Sequence, residues 1–353
     1  MFERLRKGLS RRDFLKATGI GAAGIVGSAL HRTVQGGTAL ASSGGHVPAA
    51  SAPPMSGHIG NMTVGEVDTA RMGFDPSKFI TTFDRGKTSR LPNGRTLREF
   101  QVVAVDREIE IAPGVFFPAW TFNGTVPGPT LRATEGDFVR VKFINAGAHP
   151  HTIHFHGFHK AEMDGVPGVG PGEIAPGKSV TYEFNASPFG LHLYHCHTLP
   201  LRKHIHKGLY GTFIIDPKRG RRPARELVMM MNGFDTNFDN ENEVYAVNTV
   251  AFHYAKHPIP VRRGELVRIY LVNITEFDPV NSVHIHGNFF HVYRTGTSLV
   301  TNEFTDMIML AQAERAVLEL RFPFAGRFMF HAHQTEFSEL GWMGFFEVTD
   351  HAV

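Results

Sequence analysis

The chain has 353 residues, with 36 Lys and Arg against 33 Asp and Glu and a formal net charge of +3. That length accommodates about two domains, each able to bury a core, and a composition 42% hydrophobic and 20% charged excludes a disordered chain. The charge is too small, and basic–aromatic clustering too sparse, for a nucleic-acid partner, whereas 21 His beside a single Cys point to metal chemistry and exclude an intrachain disulfide.

The chain opens on a basic stretch containing Ser10-Arg11-Arg12-Asp13-Phe14-Leu15-Lys16. A Gly- and Ala-rich apolar run from Ala17 to Leu30 and the small-x-small triplet Ala39-Leu40-Ala41 follow. This is the pattern of a twin-arginine export signal over residues 1–41, placing the working protein in the periplasm or outside the cell. Its apolar part is too short and too glycine-rich for a stable membrane span; the plainer alternative is an amphipathic N-terminal helix. Residues 1–41 hold seven basic and two acidic side chains, so the remaining 312 residues carry a net charge of −2. Residues 42 to about 60, rich in Ser, Pro, Gly and Ala, predict a flexible linker inside an extension that runs to residue 95.

Beyond residue 100 the sequence repeats itself. GDFVRVKFINAG at 136–147 matches GELVRIYLVNIT at 264–275, and HTIHFHG at 151–157 matches NSVHIHG at 281–287. Further on, Ser179–His197 matches Ala316–His333, and GLYGTFII at 208 matches GWMGFFEV at 341. Segments in constant order with small drifts in spacing mean two copies of one domain with loop insertions. Runs such as Val139-Arg140-Val141-Lys142-Phe143 alternate in polarity, the period of half-buried strands, and no long helical period competes. The prediction is an all-β chain of two tandem β-sandwiches, 96–217 and 226–353, joined by a charged, Pro-containing connector near Asp216–Arg225. Met229-Met230-Met231 reads as strand core.

The repeats place H-x-H pairs at four matching points: His154/His156, His195/His197, His284/His286 and His331/His333. Residues two apart on a strand share a face, so each pair can present two imidazoles to one point. Cys196, between His195 and His197, faces the other way, as does His151 relative to His154/His156. These two can meet at a second site behind the first, with a further imidazole available from His204-Ile205-His206. A trigonal His₂Cys set is the blue-copper electron-transfer arrangement; zinc remains possible for one His cluster. The second repeat lacks this site, having Asn281 where His151 would be and Ala332 where Cys196 would be.

At these residues the sequence resembles the multicopper oxidases, which are built of cupredoxin domains, and in particular the small two-domain, laccase-like members. The resemblance spans roughly residues 100–350 and rests on His151-Thr-Ile-His154-Phe-His156-Gly, His195-Cys196-His197, His284-Ile-His286-Gly and His331-Ala-His333. It implies tandem cupredoxin-like Greek-key β-sandwiches, four coppers per chain and a homotrimer. It also implies one-electron oxidation of a reductant (a phenol, a metal ion or a redox protein) coupled to four-electron reduction of dioxygen to water. By position, His151, Cys196 and a second His hold the type 1 copper, His154 and His284 the type 2 copper, and His156, His195, His197, His286, His331 and His333 the type 3 pair. The family commonly spaces its second type 1 His five after the Cys, where Leu201 stands here. The match of His204-Ile-His206-Lys-Gly208-Leu209 to the family's ending implies a three-residue insertion, with His204 as ligand, Leu209 in the axial place and His206 as the substitute. Asp164 matches the family's acidic residue and is the first choice for proton relay, against a plain turn aspartate before Gly165; Glu336, three after His333, is the second. The rivals are a copper nitrite reductase and a non-catalytic copper or electron-transfer cupredoxin.

Overall fold

A computed structural model describes residues 63–351. The twin-arginine pattern, the cleavage triplet and the linker at 42–60 lie outside the described residues. The described part of the N-terminal extension carries two short helices, Thr69–Met72 and Pro76–Phe79. Asp68 and Asp75 cap them, each carboxylate accepting a backbone N–H two or three residues on.

The extension ends in β1 (Lys87–Arg90), and the first repeat contributes β2 (Thr96–Ala112), β3 (Val115–Phe122), β4 (Leu131–Thr134), β5 (Phe138–Asn145), β6 (His154–Phe155), β7 (Ser179–Asn185), β8 (Gly190–His195) and β9 (Tyr210–Asp216). They form two sheets, ordered β1-β2-β5-β7 with β3 added at β2, and β4-β9-β8-β6. The second repeat contributes β10 (Arg225–Phe234), β11 (Val244–Val247), β12 (Ile259–Arg262), β13 (Val267–Asn273), β14 (Val280–Ile285), β15 (Phe290–Arg294), β16 (Glu303–Thr305), β17 (Met307–Ala311), β18 (Arg315–Leu320), β19 (Gly326–His331) and β20 (Met343–Thr349). Its sheets run β11-β10-β13-β18-β15-β16 and β12-β20-β19-β14-β17.

The pairings carry the duplication into three dimensions. β2 lies parallel to β5 as β10 does to β13, and β4 parallel to β9 as β12 does to β20. β6 pairs antiparallel with β8 as β14 does with β19. The expected alternation appears in β5, where Val139, Val141 and Phe143 are buried and Lys142 is exposed. Met229, Met230 and Met231 are all buried in β10.

Each sandwich has its own core. Val102, Phe143, Phe155, Tyr182, Tyr194 and Phe213 fill the first, and Leu271, Ile285, Leu318, Phe330 and Trp342 the second. A third apolar cluster joins Phe117, Leu191, Leu193 and Tyr210 of the first repeat to Met230, Tyr270, Val272 and Val317 of the second. Each fully buried side chain of this size stabilises by about 1.5–3 kcal/mol. Beside that cluster, the buried Arg132 guanidinium donates to both Asp216 and Glu226, one carboxylate from each side of the connector. Between these partners the Glu226 carboxyl is held down to about 2: burial opposes ionisation, and hydrogen bonds from Arg132 and Arg268 outweigh it.

Candidate metal centre

Three convergent sets of side chains sit on this scaffold. The first is fully buried and holds the thiol. His151, Cys196 and His204 bring their ligand atoms within 4.8 Å of one another. Cys196 Sγ lies 3.3 Å from His204 Nδ1 and 3.9 Å from His151 Nδ1, and the two Nδ1 atoms are 3.2 Å apart. His151 is placed by a two-way backbone bridge with Ile174, and the Thr152 N–H donates to the sulfur at 3.4 Å. Leu209 is fully buried in the same core cluster as Cys196, and its carbonyl accepts the Cys196 N–H.

The segment carrying His204 folds as a short helix, Leu201–His206. On a helix, residues two apart diverge by about 200°, so His206 leaves the sulfur. Its ring packs edge-on against Phe117, and its Nε2 accepts the Asp235 N–H at 3.0 Å.

The second set lies one residue away along the chain and on the opposite face. His154 stands directly across from His195 on paired strands, and their ligand atoms meet that of His156 within 4.8 Å. The His197 ring is 5.3 Å from that of His154. His154 Nδ1–H donates to the Asp164 carbonyl at 2.8 Å, with the Asp164 carboxylate 3.1 Å away, and His195 Nδ1–H donates to the Cys196 carbonyl at 2.9 Å. These bonds aim the Nε2 atoms outward, as metal-binding imidazoles require; those of His156 and His195 face each other at 3.1 Å. The four rings line a cavity of about 560 Å³.

The third set repeats the second. His284 stands across from His331, and the Nε2 atoms of His286 and His331 face each other at 3.1 Å. The His284 ring lies 5.8 Å from that of His333. His284 Nδ1–H donates to the Asp306 carbonyl at 2.8 Å and His331 Nδ1–H to the Ala332 carbonyl at 2.7 Å. His286 and His333 are exposed, on a face that also exposes Phe289, Phe304, Met307 and Met309. Among the described residues no ring contact joins the second set to the third.

Two family profiles, both described as multicopper oxidase, match residues 106–220 and 221–352. A solved structure described as a multicopper oxidase is 61% identical, with a TM-score of 0.80 over 80% of this chain and 100% of that one. The chain belongs to the multicopper oxidases. A blue copper oxidase from Nitrosomonas europaea is 28% identical, with a TM-score of 0.64 over 71% of this chain and 86% of that one. A copper-containing nitrite reductase from Neisseria gonorrhoeae is 30% identical over 65% of this chain, which spans 62% of that relative's length.

The chemistry of the donors fits the copper that a multicopper oxidase implies. In the first set two imidazole nitrogens and a thiol crowd one point, a contact that a cation among them would resolve. Burial pushes the Cys196 thiol up, so a bound cation is what would favour the thiolate. Burial, with neighbouring imidazoles adding to it, holds His151 and His156 down to about 3 and His195 to about 4. These rings are neutral ligands at ordinary pH. His197 Nδ1 is buried with no hydrogen-bond partner, which leaves it open to coordination.

Asp306 escaped the sequence reading. It does for His284 what Asp164 does for His154, but it lies twenty residues after His286 instead of eight after His156, beyond the inserted β15–β16 hairpin. Only the repeat, aligned through that hairpin, could have pointed to it. Glu336 is exposed on the helix Thr335–Glu339, where its charge reaches the Tyr245 phenol.

Proposed function

We propose that this chain is a laccase-like copper oxidase that reduces dioxygen to water with electrons from a small reductant or redox protein. The observation that carries this is the second complete set of four imidazoles. A nitrite reductase needs a single three-His catalytic copper, and nothing in that chemistry calls for eight paired histidines with repeat-matched Nδ1 anchors. In this reading His151, Cys196 and His204 would hold one copper, with the apolar Leu209 side chain buried in the same core cluster. His154 and His284 hold a second, and His156, His195, His197, His286, His331 and His333 hold a pair. When bound, copper supplies one-electron transfer at the thiolate set and multi-electron oxygen reduction at the imidazole sets.

The protein's own part is to fix and feed these sets. Cys196 between His195 and His197 makes a covalent bridge from one set to the next. Asp164, with its carboxylate against His154 Nδ1 and 3.6 Å from His159 Nε2, is placed to deliver protons. The third set, with His286 and His333 exposed near apolar side chains, would face another copy of the chain, whose second set has Phe158 and Leu199 exposed close by in sequence. Such a head-to-tail contact gives a ring when its rotation closes, and the reading here is a homotrimer with each cluster shared between neighbours. The leader supports export to the periplasm or beyond; no described helix is long and apolar enough to cross a membrane.

Copper counting with an oxygen electrode tests this. About four coppers per chain with oxygen uptake supports the oxidase, about two with nitrite reduction the relatives' activity, and about one without turnover a carrier. Separately, Asp164→Asn should retain the visible copper–thiolate band and lose oxygen turnover; unchanged turnover rejects the relay. Monomers that still reduce oxygen would reject the shared cluster.

A further inference from the structure

The buried thiolate set has one aromatic neighbour on its outer side. The Trp120 indole packs 4.8 Å from the His204 ring and 5.3 Å from the His151 ring. The exposed ring of His149 lies 4.7 Å from the indole, close enough for its charge to act on both His151 and His204. A cluster of tilted and edge-on rings therefore links the exposed His149 to both imidazoles of the set.

Two ammonium groups lie beside this cluster. Lys203 Nζ, on an exposed side chain, lies 5.5 Å from the Trp120 ring, and Lys207 Nζ lies 5.9 Å from it. Lys207 is only 7% exposed and is held among rings, 4.9 Å from Phe117 and 5.1 Å from the exposed Phe238. Among the described residues neither lysine pairs with a carboxylate. Asp106, which also accepts the Ala148 N–H, is close enough for its charge to act on Lys207, while Asp235 accepts loop N–H groups such as that of Asn240. An ammonium this buried with no carboxylate in direct contact is costly. Cation–π contacts offset only part of that cost.

We propose that the surface around His149 and Trp120 is the electron-entry site, and that Lys203 and Lys207 select small anionic reductants by supplying a charge the reductant completes. This rests on the copper assignment of His151, Cys196 and His204. One electron leaves the anion, which is oxidised by one unit, and reduces Cu(II) to Cu(I); for an outer-sphere donor no bond or proton changes hands. Cationic donors, free metal ions included, meet repulsion at the same surface.

The test uses copper-loaded protein without oxygen, following bleaching of the copper–thiolate band in a stopped-flow cell. The donors are ferrocyanide, neutral hydroquinone and hexaammineruthenium(II), each at low and high salt. Charge reversal in Lys203→Glu should slow ferrocyanide about tenfold or more at low salt, within the range that charged surfaces give to association rates. It should speed the ruthenium donor, leave hydroquinone within about twofold, and lose both effects at high salt as the charges are screened. Lys203→Gln should fall between. Trp120→Leu should slow all three donors, with the site potential measured alongside to separate a driving-force change from a lost contact. Equal ferrocyanide rates in the parent and Lys203→Glu overturn the selection, as does a parallel shift for all three donors. Loss of the visible band from the parent protein, or its survival in His204→Ala, instead overturns the copper assignment beneath the proposal.

Discussion

His204 and His206 are separated by one residue, yet their environments predict opposite outcomes when each is removed. His206 is 5% exposed, accepts the Asp235 N–H, and packs against Phe117 and Phe277. Truncation in His206→Ala strands that buried N–H, costing about 1–3 kcal/mol. It also empties a ring-sized space, costing about 2 kcal/mol more on the scale of core truncations. The sum of about 3–5 kcal/mol corresponds to a melting-point drop of about 6–10 °C at roughly 2 °C per kcal/mol. His206→Gln, whose side-chain carbonyl can still accept from Asp235, should lose about 1 kcal/mol. In both variants the visible copper–thiolate band should survive. His204→Ala removes a nitrogen 3.3 Å from the sulfur and should abolish the band while copper at the imidazole sets remains. Paired thermal melts and visible spectra of the three copper-loaded variants provide the assay. A band lost in His206→Gln, or kept in His204→Ala, refutes the helix-based assignment.

Gly165 has φ +68°, and a Cβ there would overlap the Ile153 carbonyl just before His154. Gly165→Ala should therefore displace the Asp164 turn and reduce oxygen turnover while leaving the copper–thiolate band, as spectra and oxygen uptake would show. Arg132→Met strips the half-buried Asp216 carboxylate of its guanidinium partner and leaves Glu226 with Arg268 and Tyr270, so it should destabilise by about 3 kcal/mol, measured by denaturant unfolding. His192 and His253, outside the proposed ligand sets, are both held at about 4 by burial, against 6.5 when unfolded. Below pH 6.5 the unfolded chain takes up protons that the folded one refuses until about pH 4. Their stability is thus complete above 6.5 and declines as pH falls, by about 2 kcal/mol for each at pH 5. Compared across pH, the stability of the parent should fall more steeply than that of His253→Gln, by about 2 kcal/mol at pH 5, as thermal melts would show.

Much of the site was legible because strand chemistry is legible. Alternation in Val139–Phe143 announced a half-buried strand, and the period of two set Cys196 against its flanking histidines. The duplication brought His154 opposite His195 and His284 opposite His331, a register that no single repeat would have revealed. What stayed hidden depended on local or long-range packing. The choice between His204 and His206 turns on a one-and-a-half-turn helix, too short to show a period. Asp306 serves His284 mainly through its backbone carbonyl, a group every residue has. The separation of the two four-His sets within one chain is a matter of how the sandwiches dock, which no motif encodes.

That docking is done by the apolar cluster in which Phe117, Leu191 and Tyr210 meet Met230, Tyr270 and Val317. Because the cluster is continuous with both sandwiches, cutting the chain at 217–224 should not free one repeat from the other. The angle between the second and third sets is likewise fixed inside each subunit. In a ring built head to tail, that angle determines how many subunits close it. The stoichiometry of the proposed assembly would then be written in the interior of the monomer, and a repacked Phe117 or Tyr270 could alter it without touching any surface where subunits meet.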